Sequence, residues 1–238
     1  MNTVDETIRR ALEERARKAI EDCRGRDTRV VLEFAGSPKS GKTTNIDIVT
    51  HFFKRMRAQV WAPTEGASKR TPYHLRRDLV AFNTWSLNYA ISELLVAYHN
   101  VDRQDIVILD RGPFDSLGWM RLLRDSGGLS QEEYDTIEGF ALHPKWWNLV
   151  SRVFLFTCSP DVSMERELDS KLTHEPGTAM NTKTLQALLD QYERLHEEYS
   201  EQCPVYRIDT SQTTGPLESA KTIVEEVLGV MEQEDLQR

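Results

Sequence analysis

The chain has 238 residues, 39% of them hydrophobic and 29% charged, and a formal net charge of -8. That is the composition of one soluble α/β domain with a sizeable core, and its acidic balance argues against broad nucleic-acid binding. No apolar run reaches the length of a membrane span, the Glu/Arg-rich N-terminus has no apolar signal core, and Cys23, Cys158 and Cys203 lie too far apart for a disulfide framework or zinc site, so a cytoplasmic protein is expected.

The first predicted element is an amphipathic helix over residues 3–23, where Val4, Ile8, Leu12, Ala16, Ala19 and Ile20 follow helical spacing. Residues 1–26 are therefore set apart from a catalytic domain over 27–238. The helix packs either on its own domain or on a second subunit, which leaves a homodimer open. Strands are predicted at Val30–Ala35, Gln59–Ala62, Ile106–Leu109, Val153–Phe156 and Val205–Ile208. Helices are predicted at 42–57, 75–98, 115–124, 130–140, 161–170, 182–201 and 216–231. Short apolar strands alternating with helices imply a five-stranded parallel sheet covered on both faces, with ligands beyond the carboxyl ends of the strands.

The first strand runs into Gly36-Ser37-Pro38-Lys39-Ser40-Gly41-Lys42-Thr43-Thr44, a complete Walker A loop followed by a helix. Its glycines let backbone N–H groups point inward at a phosphate. Lys42 reaches β- and γ-phosphates, Thr43 offers a hydroxyl to Mg²⁺, and the helix presents its positive end. The chain is expected to bind a nucleoside triphosphate, and the loop does not distinguish ATP from GTP.

Asp110 ends the third strand, where a Walker B carboxylate holds Mg²⁺, and Arg111 beside it can neutralise phosphate charge. Glu65 follows the second strand and suits the proton or hydroxyl of an acceptor. Lys69, Arg70, His74, Arg76 and Arg77 form a basic cluster that either binds an acceptor phosphate or merely starts a helix. Phe82, Trp85, Asn88 and Tyr89 on the next helix suit stacking on a base, although aromatic residues at that spacing also suit a core. Arg166 and Lys171 open a segment after the fourth strand that can close over the phosphates and exclude water. Ile208-Asp209-Thr210-Ser211 ends the fifth strand near the expected adenine.

In this order the motifs resemble the P-loop nucleoside and nucleotide kinases, of the thymidylate-kinase-like and deoxynucleoside-kinase-like branches. The resemblance covers about Arg29 to Leu228. It implies the P-loop NTPase fold, ATP as donor with Mg²⁺ on Thr43 and Asp110, and a mobile lid starting near Arg166. It also implies Glu65 as base or hydroxyl ligand and Arg111 as a phosphate-stabilising cation. Arg70, Arg76, Phe82, Trp85 and Asp115 join Glu65 as candidate acceptor contacts. Thr64-Glu65-Gly66 departs from the Arg-Glu-Pro-Gly of thymidylate kinases, and Asp110-Arg111-Gly112-Pro113-Phe114-Asp115 is closer to the Asp-Arg-Gly-x-x-Asp of nicotinamide-riboside-kinase-like proteins.

The expected activity is an ATP- and Mg²⁺-dependent phosphotransferase acting on a hydroxyl of a small nucleoside-like acceptor. A nucleoside monophosphate acceptor, or a modified base or hydroxyl within a polynucleotide, are the alternatives of the same chemistry. An ATP-dependent switch or binding module is the alternative of another class.

Overall fold

The computed structural model describes residues 3–65, 69–100, 102–169, 179–212 and 215–233, with side chains from residue 6 onward. Five strands, β1 (Val30–Gly36), β2 (Val60–Trp61), β3 (Ile106–Asp110), β4 (Arg152–Thr157) and β5 (Val205–Asp209), form one all-parallel sheet in the order β2-β3-β1-β4-β5. The expected five-stranded parallel sheet is thus present. β2 is shorter than its apolar run because it lies at an edge, paired only with β3, and Pro63 follows it with no N–H to donate.

Alternation along β1 sends Val30, Leu32 and Phe34 to one face and Val31, Glu33 and Ala35 to the other. The first face packs on α1 (Thr3–Gly25), α2 (Lys42–Arg55) and α9 (Pro216–Met231). The second packs on α3 (Leu79–Tyr98), α4 (Pro113–Asp125) and α8 (Thr182–Tyr199). Between these lie α5 (Gln131–Ala141), a short α6 (Pro144–Trp147) and α7 (Pro160–Asp169). The helix starts obey local chemistry: Asp78 accepts from the N–H groups of Val80 and Ala81 at the head of α3, and Ser130 and Glu133 form a capping box on α5.

The N-terminal helix packs on its own domain, against α9. Ala16, Ala19, Ile20 and Cys23 enter the core of the first face, Leu12 is half-buried and Ile8 exposed. The side chain of Val4 lies outside the described set. The helix expected from residue 75 begins at Leu79, because Tyr73–Arg77 wind as a tighter 3₁₀ turn and Asp78 then caps α3. Among the described residues no helix is long and apolar enough to cross a membrane.

Register sets the position of the site. Phe34 pairs with Asp110 and Gly36 with Phe156, so the carboxyl ends of β1, β3 and β4 open onto one crevice. Gly36 has φ 129, and a Cβ there would lie 1.9 Å from the Phe156 carbonyl oxygen, so only glycine allows the loop to leave β1 so close to β4.

Candidate active site

The Walker loop spans β1 and α2 as expected, with Lys39 at φ 60 in the left-handed region. Lys42 is buried, and its ammonium donates to the carbonyls of Gly36 at 2.8 Å and Ser37 at 2.7 Å. Burial pulls Lys42 down to about 8; Arg111 adds to that pull, and the carboxylates of Asp115, Asp110 and Glu65 oppose it. The loop bounds a cavity of 720 Å³, closed on its far side by Thr210, Gln212, Gly215 and Pro216.

Arg166 also reaches this cavity. It is a fixed group, donating to the Lys39 carbonyl at 3.1 Å and to the hydroxyl and carbonyl of Thr210 at 3.1 and 2.7 Å. It ties the end of β5 to the Walker loop from within α7. Lys171 and Gly66 lie outside the described residues, as does the body of the expected lid.

At the end of β3, Thr43 Oγ1 stands 3.4 Å from Asp110 Oδ2, while the buried Oδ1 of Asp110 has no protein partner. Burial raises Asp110 above the usual carboxylate range, with Glu65 adding to it and Lys42 and Arg111 opposing. Arg111 follows at φ 68, a strained conformation for a side chain of its size. Its guanidinium bridges two acids, Nε to Glu65 at 2.6 Å and Nη1 to Asp115 at 2.7 Å. Burial alone would lower Arg111, but Asp115 and Glu65 more than offset it and hold the cation firmly charged.

Asp115, expected as an acceptor contact, is only 1% exposed. Its Oδ1 accepts from the Gly36 N–H and the Tyr192 hydroxyl, both at 2.8 Å. It borders another cavity as well, yet its hydrogen bonds serve to link α4, α8 and the first residue of the Walker loop.

A second cavity of 590 Å³ opens between α3 and α4. Phe82, Asn83 and Tyr89 line it from α3, Ser116 and Trp119 from α4, and Arg76 from the 3₁₀ turn. Its volume suits a small-molecule ligand. Pro38, Lys39, Glu65, Asp110 and Arg111 line both cavities. The two chambers therefore share one wall, made by the carboxyl ends of β2 and β3 and the Walker loop.

Two expected contacts lie elsewhere. Trp85 does not line either cavity; its ring stacks on Tyr89 at 5.4 Å and 7°. Arg70 is exposed and borders neither cavity. Conversely, Trp119, Tyr192 and Glu33 were not singled out from the sequence. Trp119 stands one helical turn after Asp115, a spacing that places both on one face. Glu33 is the lone charge in an apolar strand and was visible as such. Tyr192 carries no local signal, since helix α8 meets α4 only in the folded chain.

No protein-family model and no curated protein matches the chain in sequence. Solved structures do match it in fold. Deoxyadenosine kinase from M. mycoides with bound dATP superposes with a TM-score of 0.59 at 15% identity, covering 84% of this chain and 100% of that one. The same enzyme with bound dCTP gives a TM-score of 0.61 at 15% identity, over 84% of this chain and 99% of that one. Its complex with the products dCMP and a flexible dCDP also gives 0.61 at 15% identity, with 84% and 100% covered. The fold of this chain is that of a P-loop deoxynucleoside kinase.

Proposed function

We propose that the chain is an ATP- and Mg²⁺-dependent phosphotransferase that phosphorylates a hydroxyl of a nucleoside or nucleoside-like acceptor. The observation that carries this reading is the shared wall: a Walker-loop cavity and a second, aromatic-lined cavity meet at Glu65, Asp110 and Arg111. A donor phosphate and an acceptor hydroxyl entering from opposite sides would meet there.

In this reading the loop amides and Lys42 hold the β- and γ-phosphates, Lys42 exchanging the Gly36 and Ser37 carbonyls for phosphate oxygens. The residues present fit a magnesium ion: Asp110 keeps one buried oxygen, Oδ1, without a partner, and its Oδ2 stands 3.4 Å from the Thr43 hydroxyl. Among the described residues no three His, Cys, Asp or Glu side chains converge as a metal cluster. Magnesium needs none, since it takes one or two protein oxygens and the rest from phosphate and water. When bound it would neutralise charge on the transferring group.

Glu65 accepts the proton of the acceptor hydroxyl as that oxygen bonds to the γ-phosphorus and the bond to the β-bridging oxygen breaks, leaving ADP. Arg111, already oriented by Asp115 and Glu65, faces the charge that develops on the γ-phosphoryl oxygens. Phe82 and Trp119 face the acceptor cavity from opposite helices and suit the two sides of a planar ring.

Transfer of labelled γ-phosphate from ATP to a panel of nucleosides, nucleoside monophosphates, nicotinamide riboside and oligonucleotides with hydroxymethylated bases tests this reading. A labelled phosphate monoester of a small-molecule acceptor is the expected product. Free phosphate released at one rate whatever the acceptor would refute it in favour of a nucleotide switch. A monophosphate acceptor is the second reading, favoured by Arg76 in the acceptor cavity. It requires Arg76→Ala to abolish transfer while Glu65→Gln does not.

A further inference from the structure

Glu33 is the one acid in the middle of the central strand, and it is 0% exposed. An isolated carboxyl there, between Val31 and Ala35 on a face covered by apolar side chains, would be strongly unfavourable. Its compensation comes from one place. Oε1 accepts from the N–H of Gly112 at 2.9 Å and of Asp115 at 2.8 Å, and Oε2 from that of Phe114 at 3.2 Å. The N–H groups of Phe114 and Asp115 belong to the first turn of α4 and are ones a helix normally satisfies with the side chain of its own N-cap residue.

Here that residue is Gly112, which has no side chain, and Pro113 follows it with no N–H. Glu33 takes over the capping role from another element, 79 residues away in the chain. The exchange is sterically committed: a Cβ on Gly112 would lie 2.6 Å from the Glu33 Cδ. A serine or aspartate cap at 112 would therefore displace the Glu33 carboxyl from its present place. Burial, with the neighbouring Asp115 charge, pushes Glu33 up to about 8, three N–H donors opposing.

A local cap would serve the helix equally well but would remove these three hydrogen bonds between β1 and the start of α4. Glu33 instead fastens the start of α4 to the strand that ends at the Walker loop. The turn between is tied on both sides, since the Arg111 N–H also donates to the Phe34 carbonyl at 3.0 Å. Asp115, held by Glu33 through its own N–H, then grips both Arg111 and the Gly36 N–H. The groups on the wall between the two cavities thus take their position from one buried carboxyl that touches neither cavity.

We infer that Glu33 is a positioning residue for phosphoryl transfer: by capping α4 from β1 it sets the Asp110–Arg111 turn relative to the Walker loop. This inference rests on the phosphotransferase reading for its kinetic test, but not for its structural one. Glu33→Ala removes the tie and should lower kcat by about 10- to 100-fold, the scale of a displacement of about 1 Å at a catalytic group, with KM for ATP within about threefold, since the Walker loop keeps its own contacts. Glu33→Gln retains an oxygen for the two short bonds and should recover most of that rate.

The decisive variant is Glu33→Ala combined with Gly112→Ser, which gives α4 a local cap in the space vacated. Recovery of the melting temperature without recovery of kcat is expected. Recovery of both would overturn the inference, because Glu33 would then be only a helix cap. Should Glu33→Ala not fold, Gly112→Ala in the otherwise native chain drives a methyl group against the Glu33 carboxyl, and a rate within about twofold of wild type would equally overturn the inference. If wild type transfers phosphate to no acceptor, the phosphotransferase reading fails and positioning is judged by amide hydrogen exchange. The Arg111 amide should then exchange at least tenfold faster in the capped double variant than in wild type, and unchanged protection would overturn the inference.

Discussion

Replacing Arg111 by alanine tests the electrostatics of the site most directly. The side chain bonds Asp115 at 2.7 Å and Glu65 at 2.6 Å, and the side chains of these acids are 2% and 14% exposed. Without it, Asp115 and Glu65 lose their shared cation in a neighbourhood that also holds Asp110 and Lys42. Removing one partner of a buried pair costs about 3–5 kcal/mol. Asp115 keeps the Gly36 N–H and the Tyr192 hydroxyl, so the lower end applies, about 3 kcal/mol. For a chain of this size that is a fall in melting temperature of roughly 6–12 °C. Scanning calorimetry on Arg111→Ala and on Arg111→Ala/Asp115→Asn checks it. The double variant, which removes the stranded charge, should regain part of the stability and none of the transfer. A melting temperature within about 1 °C of wild type for Arg111→Ala would show that these acids do not depend on the guanidinium.

Lys42→Ala should lose about 10²- to 10³-fold or more in kcat while keeping its circular dichroism, since Lys42 is a donor of transition-state stabilisation; undiminished transfer would remove the Walker loop from the mechanism. Lys42 stands at about 8 in the free protein, and a bound polyphosphate raises it. Above pH 8 ATP binding should therefore take up a proton and weaken as pH rises, which calorimetry in buffers of different ionisation enthalpy measures; absence of this uptake in wild type, relative to Lys42→Met, would refute it. Asp110→Asn should raise the Mg²⁺ concentration needed for half-maximal transfer, and an unchanged requirement would move the metal elsewhere. Phe82→Ala and Trp119→Ala should each weaken acceptor binding by about 1–3 kcal/mol, roughly 5- to 150-fold in acceptor KM, if the acceptor ring stacks on them; an unchanged KM would place it elsewhere in the cavity.

The strands were readable because a parallel sheet buried on both faces demands continuous apolar runs, and those at 106–109, 153–156 and 205–208 have no competing helical period. Asp110 and Arg111 were readable because they end such a run. Side chains that work across elements were not. Trp85 and Phe82 share a helix and an aromatic character, yet only Phe82 faces the cavity, and the packing of α3 against α4 decides which. Arg166 had the spacing of a closing cation, but the partner that fixes it, Thr210, arrives with β5 after 44 further residues. Tyr192 finds Asp115 across 77 residues, through helix packing that no local pattern encodes.

On the phosphotransferase reading the site receives a polyanion yet is built with four acids, a paradox until the roles of the acids are separated. Glu33 and Asp115 are buried and committed to N–H, hydroxyl and guanidinium donors, so they orient groups and are not repelled by incoming phosphate at close range. Asp110 keeps an oxygen without a protein partner, the one feature of the set that asks for a cation. Glu65 stands on the wall common to both cavities, where on the phosphotransferase reading a proton must go. Arg111 is held by two of the four acids, Asp115 fixing its position and Glu65 its direction. Such a cation needs no reorganisation when charge develops beside it, and preorganisation of this type is the largest part of what a phosphoryl-transfer site supplies.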